Sequence, residues 1–147
     1  MFKLNDRVAI RVDGKDVIGR LIGIDLYELE NFSGSTSAWP SYTLVSDKKG
    51  LFSRYWFVLW DKSKWILWTK AKNKALPGNA KLIPGKSGIA KIDFSGDAGL
   101  STPVAALAQY AVGKKYFCLE RFAGSSTMVF SGRKISKPAV IPKTKKK

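Results

Sequence analysis

The chain has 147 residues, enough for one ordinary domain, and is 45% hydrophobic and 12% aromatic. That share excludes general disorder, because such side chains need burial to offset the entropy of ordering. The formal charge is +15, the single cysteine excludes an intrachain disulfide, and the lack of histidine excludes Ser-His-Asp and Cys-His catalysis and His-containing zinc sites.

The opening reads as strand, turn, strand. Arg7-Val8-Ala9-Ile10-Arg11-Val12 alternates charged and apolar positions, Asp13-Gly14 suits a tight primed turn, and an extended pattern resumes over 16–24. Gly19 and Gly23 mark bends or close backbone approaches in a curved sheet. The pattern weakens from Leu26 to Pro40, with a surface loop over 31–37. Trp39-Pro40 then enters a strand continued by Tyr42-Thr43-Leu44-Val45 and closed by a turn over 47–50. The clearest element is an aromatic hairpin over 54–69, two runs rich in aromatic and β-branched residues around Asp61-Lys62-Ser63-Lys64. A period of two puts Trp56, Val58 and Trp60 on one face and Tyr55, Phe57 and Leu59 on the other. Both faces are apolar, so the hairpin needs cover on both sides, from a second sheet, a loop or a partner chain.

Residues 70–87, punctuated by Pro77-Gly78 and Pro84-Gly85, read as a looped connection, and Ile89, Ala90, Ile92 and Phe94 as a further strand. One helix is predicted over 103–112, with Thr102 as cap, Pro103 in the first turn and Gly113 past the end. Residues 115–122 and 126–130 predict a last hairpin. The fold class expected is mainly β, a compact small-barrel or two-sheet (SH3-like-barrel-related) architecture with one short helix near 103–112. Residues 1–136 form a single β-rich domain, or two β subdomains (1–70 and 88–136) sharing a core, and residues 137–147 a basic flexible tail.

Charge is uneven. Residues 1–47 carry five basic and seven acidic side chains, and residues 48–147 carry 21 basic and four acidic. That asymmetry implies attraction to an anionic surface. Trp60, Trp65 and Trp68 interleave with Lys62, Lys64, Lys70, Lys72 and Lys74, and these eight are the candidate partner-binding residues. The competing reading places the aromatics in the core and the lysines in turns. Catalysis by carboxylates would draw on Asp93 and Asp97, with Glu120 approaching from the later hairpin, but turn and edge roles suit these residues better. Cys118 reads as a buried thiol among Tyr116, Phe117 and Leu119. Pro84-Gly85-Lys86-Ser87 is not a phosphate loop, because Ala80 stands where the first glycine belongs. No catalytic residue, cofactor or metal is expected.

Val17-Ile18-Gly19-Arg20, the run from Trp39 to Val45, the tryptophan-bearing Tyr55 to Trp60, and Gly88-Ile89-Ala90-Lys91-Ile92 together resemble the pattern of the DUF4178 family of bacterial domains. The resemblance covers residues 4–135 and implies a β-rich domain, with no catalytic residues to carry over. The family pattern is often acidic, and the basic second part of this chain departs from it.

The function expected is that of a non-enzymatic accessory or adaptor protein that binds another macromolecule, a protein partner or a second copy covering the hairpin. The alternatives are sequence-nonspecific nucleic-acid binding through the basic surface and, third, a carboxylate-dependent enzyme. No apolar run reaches the roughly 20 residues of a membrane-spanning helix, and residues 1–6 lack the order of a secretory leader. Cytoplasmic residence is the expectation.

Overall fold

Period-two patterning dominates the computed structural model, which describes residues 2–32, 34–47, 54–60, 63–71, 76–96, 104–122 and 127–142. These form ten strands: β1 (Arg7–Val12), β2 (Lys15–Asn31), β3 (Thr36–Ser46), β4 (Arg54–Trp60), β5 (Lys64–Lys70), β6 (Lys81–Gly96), β7 (Val104–Val112), β8 (Lys115–Phe122), β9 (Met128–Ile135) and β10 (Ala139–Val140). All pairings are antiparallel. Two four-stranded meanders, β2 to β5 and β6 to β9, join along both edges, β5 to β9 and β2 to β6. Eight strands therefore close into a barrel, which removes the unpaired edges that an open sheet would present. The expected mainly β, small-barrel architecture is present in this closed form.

The expected helix is not. Among the described residues there is no helix, and Val104–Val112 is a strand paired on both sides, with β6 and β8. Ala105, Leu107 and Gln109 are buried while Val104 and Ala106 are exposed, an alternation of two rather than a helical stripe. Alanine favours a helix by only tenths of a kcal/mol per residue, and a helix this short depends on packing, so two waiting sheet edges decide the outcome. Thr102 and Pro103 lie outside the described residues.

Other boundaries differ from expectation: β2 runs through Asn31 and β3 begins at Thr36, inside the loop expected over 31–37, and β9 continues to Ile135. β6 begins at Lys81, and Pro84-Gly85 is absorbed by a register shift between Leu82 and Ser87, with Gly85 at φ 77°. Ala139 and Val140, placed by the sequence pattern in the basic tail, form β10 against β1, and the Ile141 N–H donates to the Arg7 carbonyl at 2.8 Å. Asp13 and Gly14 both have positive φ, as a primed turn requires.

β2 serves two bodies. Its first part pairs with β1 and its second with β6. A bulge between Leu21 and Gly23 separates them, and the extra residue reverses which side chains face inward. Leu21 pairs with Leu44 and packs outside the barrel, whereas Tyr27 and Leu29, of the same parity, point into it.

The β4–β5 hairpin has the two faces its alternation predicts, and each is covered. Trp56, Val58, Trp60, Ile66 and Trp68 face the barrel interior, against Ala90, Ile92, Leu107 and Cys118 of the second meander. Tyr55, Phe57, Leu59, Trp65 and Leu67 face a second core beneath Phe2, Val8 and Ile10. Gly132 lies opposite Trp68 because a β-carbon there would come within 2.6 Å of the indole ring. Phe2 caps the outer core, in ring contact with Tyr42, Phe57 and Trp65 at 5.2, 6.3 and 5.6 Å between centroids. Phe2→Ala is expected to cost about 2–4 kcal/mol, read as a lower urea midpoint with an unchanged denaturant slope.

Candidate functional site

The inward faces of β2, β7 and β8 place polar side chains where an all-apolar filling would be simplest. Asp25 and Tyr27 come from β2, Gln109 from β7, and Cys118 and Glu120 from β8. They form the floor of a cavity of about 230 Å³, walled by Trp39, Trp56, Trp68, Leu107 and Phe130 and reaching the exposed Lys70.

The floor is internally organised. The Tyr27 hydroxyl donates to Glu120 Oε1 at 2.9 Å, and the Tyr27 ring stacks on Trp39 with centroids 5.6 Å apart and planes 12° from parallel. Burial pushes the Glu120 carboxyl upward, opposed by the hydrogen bond from Tyr27. Burial, and then the charge of Glu120, pushes Asp25 up to about 7. The Tyr27 hydroxyl and the Cys118 thiol are also raised well above their ordinary values, chiefly by burial and next by Glu120. Asp25 Oδ1 and Gln109 Oε1 have no hydrogen-bond partner among the described residues, although each residue is only 3% exposed. Such orphaned acceptors are uncommon in folded interiors and mark where a donor is wanted.

Another part of the interior is occupied by Trp60, Tyr116 and Lys86. Trp60 packs against Tyr116 and Trp68, with centroids 5.2 and 5.7 Å apart. Buried Lys86 sets its ammonium 5.3 Å from the Trp39 ring centroid and 5.5 Å from that of Trp60.

Of the eight candidate partner-binding residues, Trp60, Trp65 and Trp68 are buried, at 3, 5 and 6% exposure. Trp60 and Trp68 belong to the barrel interior and Trp65 to the outer core. Lys64 and Lys70 are exposed, and Lys62, Lys72 and Lys74 lie outside the described residues. The structure thus brings Trp68 and Lys70 together in the cavity lining and sends Trp65 elsewhere. Among the carboxylates, Asp93 is exposed, Asp97 lies outside the described residues, and Glu120 turns inward to Tyr27. Asp25 and Gln109 were not anticipated. The available signal for Asp25 was its shared parity with Tyr27 and Leu29, opposite Glu28 and Glu30. Gln109 was hidden by the helical reading of its segment.

Among the described residues, no group of three or more Cys, Asp or Glu side chains is arranged to hold a metal, and no helix is long and apolar enough to cross a membrane. No family model, curated protein or solved structure matches the chain. Function is therefore read from the barrel's own geometry.

The raised carboxyls have a measurable consequence. Asp25 moves from 3.8 to about 7 on folding, so between those values the native state holds a proton that the unfolded chain has released. The associated stability is fully present below pH 4, is lost as pH rises through 7, and Glu120 acts in the same direction. Asp25→Asn is expected to flatten this slope and to stabilise the protein at pH 8 by on the order of 2 kcal/mol. Thermal unfolding of both proteins at pH 4.5 and pH 8 measures it.

Proposed function

We propose that the barrel is a non-enzymatic receptor for one small, largely apolar or aromatic molecule held in its interior. The observation that carries this reading is the cavity of about 230 Å³ among Trp39, Trp56, Trp68 and Phe130. An eight-stranded barrel is just wide enough either to be filled by its own side chains or to hold one small ligand. Here Trp60, Tyr116 and Lys86 fill one part and leave the other hollow. The volume of about 230 Å³ is below the roughly 300–1,000 Å³ usual for drug-sized ligands. The ligand is then about as large as a single aromatic side chain.

Binding without reaction fits the chemistry of the floor. The Cys118 thiol is held protonated by burial, which makes it a poor nucleophile, and the Tyr27 hydroxyl is committed to Glu120. An accessory role is compatible with this reading. The hairpin itself offers a macromolecular partner no uncovered face, since both of its faces pack within the chain.

Titration with 2-phenylethanol, followed by tryptophan fluorescence, tests the proposal. A saturable change is expected from the native protein and none from Leu107→Phe, which fills the cavity while keeping or raising the melting temperature. No saturable response of the native protein to 2-phenylethanol or to indole would contradict it.

A further inference from the structure

We propose that the molecule held in the barrel is an organic ammonium ion, a primary amine on an apolar or aromatic body, whose N–H groups meet Asp25 and Gln109 while the body lies against the tryptophan wall. This rests on the cavity reading above and adds the chemical class of the ligand.

Two acceptors on the floor lack a donor among the described residues. Asp25 Oδ1 and Gln109 Oε1 are buried without partners among the described residues, and the Tyr27 hydroxyl is already spent on Glu120. A buried acceptor lacking a donor costs about 1–3 kcal/mol, and more when charged. An ammonium group carries three donors and no acceptor, so it answers this deficit without creating a new one. A neutral alcohol answers it in part, and a carboxylate would add a third negative charge beside Asp25 and Glu120.

Electrostatics select in the same sense. Asp25 and Glu120 repel each other when ionised, and a cation between them relieves that repulsion. Aromatic rings attract cations within about 6 Å of their centroids, and Trp56, Trp68 and Phe130 line the cavity. The chain itself demonstrates this in the same interior, where the Lys86 ammonium stands over Trp39 and Trp60. The formal charge of +15 opposes entry of a cation from a distance. Salt screens exposed charges beyond about 8 Å at physiological ionic strength, whereas the buried floor acts at contact and in a low dielectric.

Titration adds a signature. The titratable groups that line the cavity with Asp25 are Tyr27 on its own strand, Lys70 on β5, and Cys118 and Glu120 on β8; the lining from β3, β4, β7 and β9 is uncharged. Asp25 ionises near pH 7 in the free protein, so a ligand that requires its carboxylate binds more tightly as pH rises through that value.

The test compares 2-phenylethylamine, 2-phenylethanol and phenylacetate, matched in body, by calorimetric titration of the full chain. At pH 8 the amine is expected to bind at least about tenfold more tightly than the alcohol, with no detectable binding of phenylacetate. The amine-to-alcohol ratio is expected to fall to within about threefold at pH 5, and likewise at pH 8 in Asp25→Asn. Equal affinities of amine and alcohol at pH 8 overturn the ammonium assignment and leave the cavity reading standing. Failure of all three to bind overturns both. A preference for the amine that neither low pH nor Asp25→Asn reduces overturns the role given to Asp25.

Discussion

The structure depends on one requirement: a hairpin that is apolar on both faces must be buried on both. A half-exposed sheet hides one face and wets the other. β4 and β5 place tryptophan, valine and isoleucine on one side and tyrosine, phenylalanine, leucine and tryptophan on the other, so a single packed layer leaves a face in water. The chain meets the requirement by itself. The second meander covers the inner face by closing the barrel, and residues 2–12 with the first part of β2 cover the outer one. A partner chain is not needed for this purpose.

That solution produces two cores with different characters. The outer core is closed by the mutual ring contacts of Phe2, Tyr42, Phe57 and Trp65. The inner one combines aromatic side chains with the polar Asp25, Gln109 and Glu120. It is filled by Trp60, Tyr116 and Lys86 in one part and hollow between Trp68 and Glu120 in the other. The bulge at Leu21/Gly23 links them. By reversing the facing of β2, it lets one strand give Leu21 to the outer core and Asp25 to the cavity floor.

Much of this is written locally in the sequence, and the rest is not. The hairpin and its faces are legible because two runs rich in aromatic and β-branched residues flank four polar ones, and a strand's period of two assigns the faces. Asp13-Gly14 names its own turn. Gly19 marks a close approach, since a β-carbon there would lie 2.1 Å from the Val45 carbonyl oxygen. The β7 segment reads locally as a helix because alanine, Thr102, Pro103 and Gly113 are helix signals, whereas its strand form is imposed by pairing with β6 and β8. The site was hidden for a related reason. Asp25 faces inward only because of a bulge whose position is fixed by pairing with β3, and Glu120 meets Tyr27 across 93 residues of sequence. Of the candidate partner-binding tryptophans, Trp68 lines the cavity, Trp60 packs inside the barrel and Trp65 lies in the outer core.

The two faces of one hairpin serve a solid core and a cavity. The five tryptophans report on both when labelled with 5-fluorotryptophan and followed by fluorine NMR during titration with 2-phenylethanol. The resonances of Trp56 and Trp68, which line the cavity, should shift and saturate together, while that of Trp65, across the sheet in the outer core, stays in place. A shift of Trp65 as large as theirs, or no movement of Trp56 and Trp68, would contradict the account.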